Sequence, residues 1–423
     1  MRPKPLSLVV MMGFAVLLAA GCEKALQLPE DPGNKLVEIL RAHHRDFRPV
    51  LEDPQRYRLQ ILYTQIDRDS SQIPHFTQYG LFLDDPRYFY PASSVKLPAA
   101  MLALEKLNKL NLENVNKFTS LRIDSVAPGQ STVWADSTAA DGLPSIGHYI
   151  RKILVVSDND AFNRLYEFLG QAYLREALLV KGYQDSWIIR RLESGMGPEA
   201  NRITNAFTFY GGENLFYDQP AATNPATFAI DMPDVRQGKG VMRNGELIGE
   251  PIDFSHSNYI SVRDLQDYVR AIFFPESFPE ERRFDLTEED RLFLIRYMGC
   301  RPRESGIAAY ADTSEYYDSY VKFFLYGDTR RPMPDNVRIF SKSGQAYGYL
   351  IDNAYIVDWD SGVEFLLTAV LQVNDNQIYN DNHYEYREIG IPFMARLGQH
   401  LYDYEKSRPR AVQPDLSQWN VFE

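Results

Sequence analysis

The chain has 423 residues, with 45 Lys+Arg against 57 Asp+Glu and a formal net charge of −12, which allows one large domain or two ordinary ones. At 44% hydrophobic and 24% charged residues, the composition supports a full core and excludes a mainly disordered or collagen-like chain. Displacing counterions from phosphates needs clustered cations, and no Lys/Arg run is present, so nucleic acid is excluded as a partner.

Arg2 and Lys4 precede an apolar run from Leu6 to Ala20, and Gly21-Cys22 follows, the pattern of an export signal. The run is shorter than the about 20 apolar residues of a transmembrane anchor and ends in small residues. The ending Leu18-Ala19-Ala20-Gly21-Cys22 resembles the lipobox of bacterial lipoproteins, although Ala19 departs from the Leu usual at that position. The resemblance implies cleavage before Cys22 and lipid on its thiol. Residues 1–21 are thus expected to be a signal peptide and residues 22–33, with Pro29, Asp31, Pro32 and Gly33, a polar tether. The mature protein is expected to be exported and lipid-anchored to the bacterial membrane, facing the periplasm or cell exterior. Cys300 then has no partner, so no structural disulfide is expected and this thiol reads as buried and inert.

One domain is predicted over residues 34–408. Leu36, Val37, Leu40 and Phe47 predict an amphipathic helix, and Leu59, Ile61 and Tyr63 alternate as in a strand. Leu97, Ala100, Met101, Leu104 and Leu107 share one helical face, as do Ile146, Tyr149, Ile150 and Ile153 after a Ser145 cap. Residues 206 to about 255, rich in Gly and Pro, read as an inserted hairpin or lid. Ser261-Val262-Arg263-Asp264 restarts a helix with a capping box. The runs Val337 to Phe340, Leu350 to Val357 and Val363 to Val373 predict consecutive antiparallel strands, and a last helix spans Ile391 to Tyr404 before a polar tail at 409–423.

Three short motifs carry chemistry. Ser93 lies three residues before Lys96 at the start of a predicted helix, so one turn sets both side chains on one face. A serine hydroxyl is a poor nucleophile unless a neighbouring base takes its proton, and a desolvated lysine can be that base. The backbone N–H of Ser93 would face outward to stabilise an oxyanion. The plainer reading makes Ser93 a helix cap and Lys96 a solvated cation. Ser157-Asp158-Asn159 follows between two helices, and Lys342-Ser343-Gly344 lies on a predicted strand. Seven scattered His, with His43 and His44 adjacent, give no zinc spacing, so no metal or other cofactor is expected.

In this order, Ser-x-x-Lys, Ser-Asp-Asn and Lys-Ser-Gly resemble the signature of class A β-lactamases and penicillin-binding proteins. Gly142-Leu143-Pro144-Ser145 before the second motif, and Tyr347-Gly348 with Ile351-Asp352-Asn353-Ala354 after the third, extend the resemblance. It implies an α+β fold, with an antiparallel sheet flanked by terminal helices and packed on an all-helical part. It implies Ser93 as the acylated nucleophile, Lys96 as its base and Ser157 as proton donor to the leaving nitrogen. Asn159 would bind the substrate amide, and Lys342 and Ser343 a carboxylate. The N–H groups of Ser93 and Gln345, beside Gly344, would form the oxyanion hole. Asp158 and Asn163 would hold the surrounding loops.

Pro198-Glu199-Ala200-Asn201 resembles the loop whose Glu activates the deacylating water in class A enzymes, but Gly197 stands at that Glu's position. Glu193 and Glu199 are the nearby candidates for this base, each also readable as a solvated loop carboxylate, and Asn201 matches the residue that holds the water. Leu350 sits where many relatives place an Arg for the substrate carboxylate. Trp134 reads as an aromatic gate or as ordinary packing, and the stretch Tyr310 to Tyr326 as cleft lining or aromatic surface. The expected activity is β-lactam hydrolysis by a monomer acylated at Ser93. The alternatives are a D,D-peptidase or penicillin-binding protein with slow deacylation, acting on D-Ala-D-Ala-type peptides, and a surface binding lipoprotein without chemistry.

Overall fold

The computed structural model describes residues 25–83 and 86–422, so the segment expected to be a signal peptide and Cys22 lie outside the described residues. Two short helices open the fold, α1 Lys35–Ala42 and α2 His44–Leu51, where the sequence predicts one. The break falls at His43, whose ring stacks on His400 at 3.9 Å. The central sheet contains β1 Gln60–Arg68, β2 Pro74–Leu81, β3 Val337–Ser341, β4 Gly344–Ala346, β5 Tyr349–Asp358 and β6 Val363–Gln372. Its order is β3-β5-β6-β1-β2, with β4 also on β5, and every pairing is antiparallel. The strands predicted from Val337, Leu350 and Val363 are therefore borne out.

β5 and β6 are buried along their whole length, which follows from apolar residues on both faces and helices covering each. One face carries α1, α2 and the last helix, Ile391–Ser407, through Leu36, Phe47, Phe393 and Leu397. The other face packs on the helical part, which includes α3 Lys96–Leu110, α4 Ile146–Val155 and α5 Asn159–Leu169, and on the helix Val262–Phe273. This is the predicted α+β arrangement. Ser145 caps α4 by accepting from the His148 N–H at 3.2 Å, as expected. At Ser261 only half of the expected box forms, because the Asp264 carboxylate turns to the Ser186 hydroxyl at 2.8 Å. Cys300 is buried as predicted, and burial pushes its thiol up to about 12.

The insertion is a hairpin, but not a lid. Ala206–Gly211 and Asn214–Gln219 extend the strand Ser120–Asp124. Further on, Gly240 and Val241 pair in parallel with Ile378 and Tyr379. At Gly238, φ is +80°, and a Cβ would stand 2.6 Å from the Gln377 carbonyl oxygen, so only glycine lets these segments meet. The insertion thus braces the segment 374–390 from behind. Among the described residues, no helix is long and apolar enough to cross a membrane.

A buried ion cluster ties α5 to the loop after the strand Ser186–Trp187. Glu167 receives the Arg191 Nε at 2.9 Å and the Arg164 guanidinium at 3.1 Å, all three being almost fully buried. Removing the carboxylate leaves the buried Arg191 without a counter-ion, while Arg164 keeps Asp160 at 2.7 Å, so Glu167→Ala should lower stability by about 3–5 kcal/mol. Denaturant unfolding monitored by circular dichroism measures this, and an unchanged midpoint would contradict the arrangement.

Candidate active site

The three motifs meet at the junction of sheet and helical part. Ser93 lies on a single 3₁₀ turn, Ala92–Val95, that runs directly into α3, whose first residue is Lys96. Ser157 and Asp158 form the turn between α4 and α5, with Asp158 capping α5 through the Ala161 N–H at 2.7 Å. Lys342, Ser343 and Gly344 join β3 to β4.

Their polar atoms converge. Lys96 Nζ donates to the Ser157 backbone carbonyl and to Asn159 Oδ1 at 2.6 Å, and shares a hydrogen bond of 3.2 Å with the Ser157 hydroxyl. Lys342 Nζ donates to Ser157 Oγ at 2.9 Å and to its neighbour's carbonyl, Ser343 O, at 2.7 Å. The sequence pairs Lys96 with Ser93, whereas in this resting geometry its hydrogen bonds go to the 157–159 turn. Catalytic contacts commonly tighten only when substrate is bound. Ser157 has a left-handed φ of +61°, an uncommon conformation for a residue with a Cβ.

Burial controls the charges here. Lys96 is fully buried. Desolvation first, and the Lys342 charge second, hold its ammonium well below the usual lysine range, against Asp158 and Glu193. Burial also pushes Lys342 down to about 7, with Asp352 opposing and Lys322 adding to the fall. Asp352 is buried behind the motif and accepts the N–H groups of Phe323, Phe324 and Asn353 at 2.7, 3.2 and 2.9 Å. Lys322, also buried, donates to Met298 O at 2.8 Å and Ile339 O at 2.7 Å. A neutral amine beside a protonated one is the outcome such crowding favours.

Two cavities meet at Ser93. The first, about 520 Å³, is lined by Ser93, Asn159, Arg190, Glu193, Gln345 and Tyr347 among others. The second, about 620 Å³, is lined by Ser93, Ser157, Tyr317, Tyr320, Ser343 and Arg387 among others. Gln345, Tyr384 and Tyr386 border both. Gly344 makes the junction narrow, since a Cβ there would lie 2.7 Å from Pro91 O and 2.9 Å from Ser93 N.

Several predicted residues change place. Glu199 lies on a short helix, pairs with Arg202 at 2.5 Å and has a 75% exposed side chain, and it borders neither cavity. It is therefore no candidate for the water-activating base. Asn201 is not free to hold a water or a substrate. Its Oδ1 accepts the Arg191 N–H at 2.8 Å, and its Nδ2 donates to Met196 O and Gly197 O, both at 3.0 Å. Ser343 borders the second cavity, but its hydroxyl donates to Val321 O at 2.6 Å, leaving only acceptor capacity. Trp134 is 64% exposed against Arg122 and gates nothing. Leu350 is buried core.

Glu193 does enter the cleft, on a left-handed φ of +49°. Asn163 grips the residue before it, taking the Leu192 N–H at 2.8 Å and donating to Leu192 O at 2.9 Å. Of the Tyr-rich stretch, Tyr317 and Tyr320 line the second cavity. Arg190, Tyr384, Tyr386 and Arg387 have no motif to announce them, and Asp352, within the Ile351–Ala354 stretch, carries no role that the sequence names. Tyr384 and Tyr386 sit on the segment after β6, where their hydroxyls accept the N–H groups of Asn380 and Gly348 at 2.9 and 2.8 Å.

The model of the family described as "Beta-lactamase enzyme family" matches residues 77–404. No curated protein sequence matches. Solved structures similar to this chain include a β-lactamase from Sphaerobacter thermophilus, 13% identical, covering 83% of this chain and 92% of its own, with a TM-score of 0.45. A β-lactamase from Xanthomonas campestris is 14% identical over 86% of this chain and 98% of its own, TM-score 0.46. A point mutant of PBP-A, described as an acyl-enzyme complex with penicillin G, is 14% identical over 86% and 96%, TM-score 0.47.

The contact at Gly344 gives a direct test. Gly344→Ala must drive the 91–93 turn away from β4, and overpacking of this kind costs about 1–3 kcal/mol. A crystal structure of the variant should show Ser93 displaced; an unmoved turn at unchanged stability would refute the contact.

Proposed function

The chain belongs to the β-lactamase enzyme family, and from that premise we propose that Ser93 is acylated by β-lactams or D-Ala-D-Ala-like peptides. The observation that carries this reading is the meeting of Lys96, Ser157 and Lys342 beside Ser93. Neutral Lys96 takes the proton from Ser93 Oγ as the Oγ–carbonyl bond forms. The N–H groups of Ser93 and Gln345 hold the developing oxyanion. As the C–N bond breaks, Ser157 gives its proton to the leaving nitrogen and is resupplied from the lysine pair. Asn159 spends its Oδ1 on Lys96, which leaves its Nδ2 to donate to the acyl-side amide. With Leu350 in the core and the Ser343 proton committed, Lys342 and Arg387, which has no ion pair among the described residues, are the cations left for a carboxylate on the leaving-group side.

The acyl-enzyme is expected to be long-lived, as in a penicillin-binding protein. The residue that Asn163 grips is Leu192, which cannot activate water, and Glu193 beside it is exposed, with no hydrogen bond among the described residues fixing its carboxylate. General-base assistance is typically worth a factor of about 10²–10⁴. A second reading, true β-lactamase activity, rests on Glu193 bordering the cavity that holds Ser93.

A labelled penicillin should attach to Ser93, and Ser93→Ala should abolish labelling. The acylation rate should fall above about pH 7, because Lys342 loses its charge as pH rises through its lowered value, and Lys342→Arg should move that limb to higher pH. A flat profile from about pH 6 to 9 would count against the charge assignment, and an unlabelled wild type against acylation itself.

Adduct lifetime, followed by intact mass, separates the two fates. We expect persistence that responds little to Glu193→Gln and shortens at least about tenfold in Leu192→Glu. Rapid turnover that collapses in Glu193→Gln would instead establish Glu193 as the base.

A further inference from the structure

The loop between the strand Ser186–Trp187 and the short helix Pro198–Asn201 carries two successive arginines that the structure treats in opposite ways. Arg191 points inward, where Glu167, Ala200 O and Ile203 O take its guanidinium at 2.9, 3.2 and 2.8 Å. Arg190 points into the first cavity, and its guanidinium has no hydrogen bond or ion pair with any described residue. Nor is its position left to chance. Buried Asn258 accepts the Arg190 N–H at 3.0 Å and donates to its carbonyl at 3.2 Å, which fixes the backbone.

The half-buried Arg190 stands close enough to Tyr90 and Tyr347 for its charge to favour their ionised forms, although burial dominates both hydroxyls. A cation that has lost part of its hydration without gaining a counter-ion is costly. A guanidinium presents paired N–H groups that match a carboxylate. Glu193 lines the same cavity and opposes an anion, yet it is exposed, so solvent screens it more than Arg190. Asn380 and Asn382 complete a polar wall without further charge.

Asn159 borders this cavity and not the second, whereas Ser157 borders the second and not this one. Under the acylation reading above, on which the inference rests, it receives the acyl portion of the donor. We propose that Arg190 is a specificity-determining residue that binds a carboxylate on the acyl side chain, so that the preferred donors carry an acidic acyl group.

The test uses benzylpenicillin, its α-carboxy derivative and its α-amino derivative, comparing second-order acylation rates by intact mass. Wild type should favour the α-carboxy over the α-amino compound by at least about tenfold. Arg190→Gln should bring that ratio near one, and Arg190→Lys should restore part of it. Because the readout is a ratio within one protein, a loss of folded enzyme does not mimic the effect. A ratio untouched by Arg190→Gln, or a wild-type preference for the α-amino compound, would overturn the proposal.

Should no penicillin acylate the wild type, the acylation reading fails separately. Ser93→Ala protein is then titrated calorimetrically with phenylmalonate and phenylacetate. Tighter binding of the dicarboxylate that disappears when Arg190→Gln is added supports the site, and equal binding refutes it.

Discussion

Two buried lysines aimed at one hydroxyl set the terms for this molecule. Lys96 and Lys342 reach Ser157 Oγ at 3.2 and 2.9 Å, and two ammonium groups this close in a poorly solvated place cannot both stay charged without strong repulsion. The surroundings break the tie. Lys342 is backed by the buried carboxylate of Asp352, whereas the carboxylates acting on Lys96 are Asp158 and Glu193, and burial together with the Lys342 charge holds it well below the usual lysine range. Desolvation thereby favours a neutral Lys96, the Lys342 charge adds to it, and Asp352 helps Lys342 keep its own charge. Because Lys96 comes from α3 and Lys342 from the end of β3, the arrangement requires the sheet and the helical part to dock in one register.

That docking is secured by close backbone approach and local strain. Gly344 touches the 91–93 turn, and Ala92, Ser157, Glu193 and Tyr347 all take positive φ around the cleft. Such conformations persist only where the surroundings hold them. Phe254, carried at the end of the insertion, packs against Tyr90, Tyr347 and Tyr379, and the Gly240–Val241 ladder fixes Ile378–Tyr379. The insertion therefore acts on the site at one remove, by stiffening the wall that presents Tyr384 and Tyr386.

What the sequence made legible follows from the range of the forces involved. Strand and helix periodicity reports burial, so the last three strands, α3, α4 and the Ser145 cap were readable, as were three motifs whose spacing is set by one turn or one strand. The break at His43 coincides with a ring far along the chain, that of His400, and local pattern carries no trace of it. The same holds for Asn201: its amide fits a water-holding role until the Arg191, Met196 and Gly197 backbone groups that consume it are seen. Glu199 resembled a catalytic carboxylate by motif alone, and its pairing with Arg202, one helical turn on, takes it to the surface. Arg190 and Arg387 were silent because an arginine poised for a ligand is recognised by the partner it lacks, which only the fold reveals.

The way the site is divided bears on how such a scaffold changes its chemistry. Every group that the proposed acylation uses sits on, or at the end of, a regular element: the 91–95 turn leading into α3, the α4–α5 turn and the β3–β4 junction. Moving any of them means moving the core. The group needed for deacylation would come from residues 191–201, whose backbone is held by Asn163, Asn201 and Arg191 through contacts to main-chain atoms. Main-chain contacts do not depend on the identity of the side chains they hold. The loop can therefore present leucine or a carboxylate toward the cleft with the same supports, so under the proposed acylation the lifetime of the adduct can change while the groups that form it stay fixed.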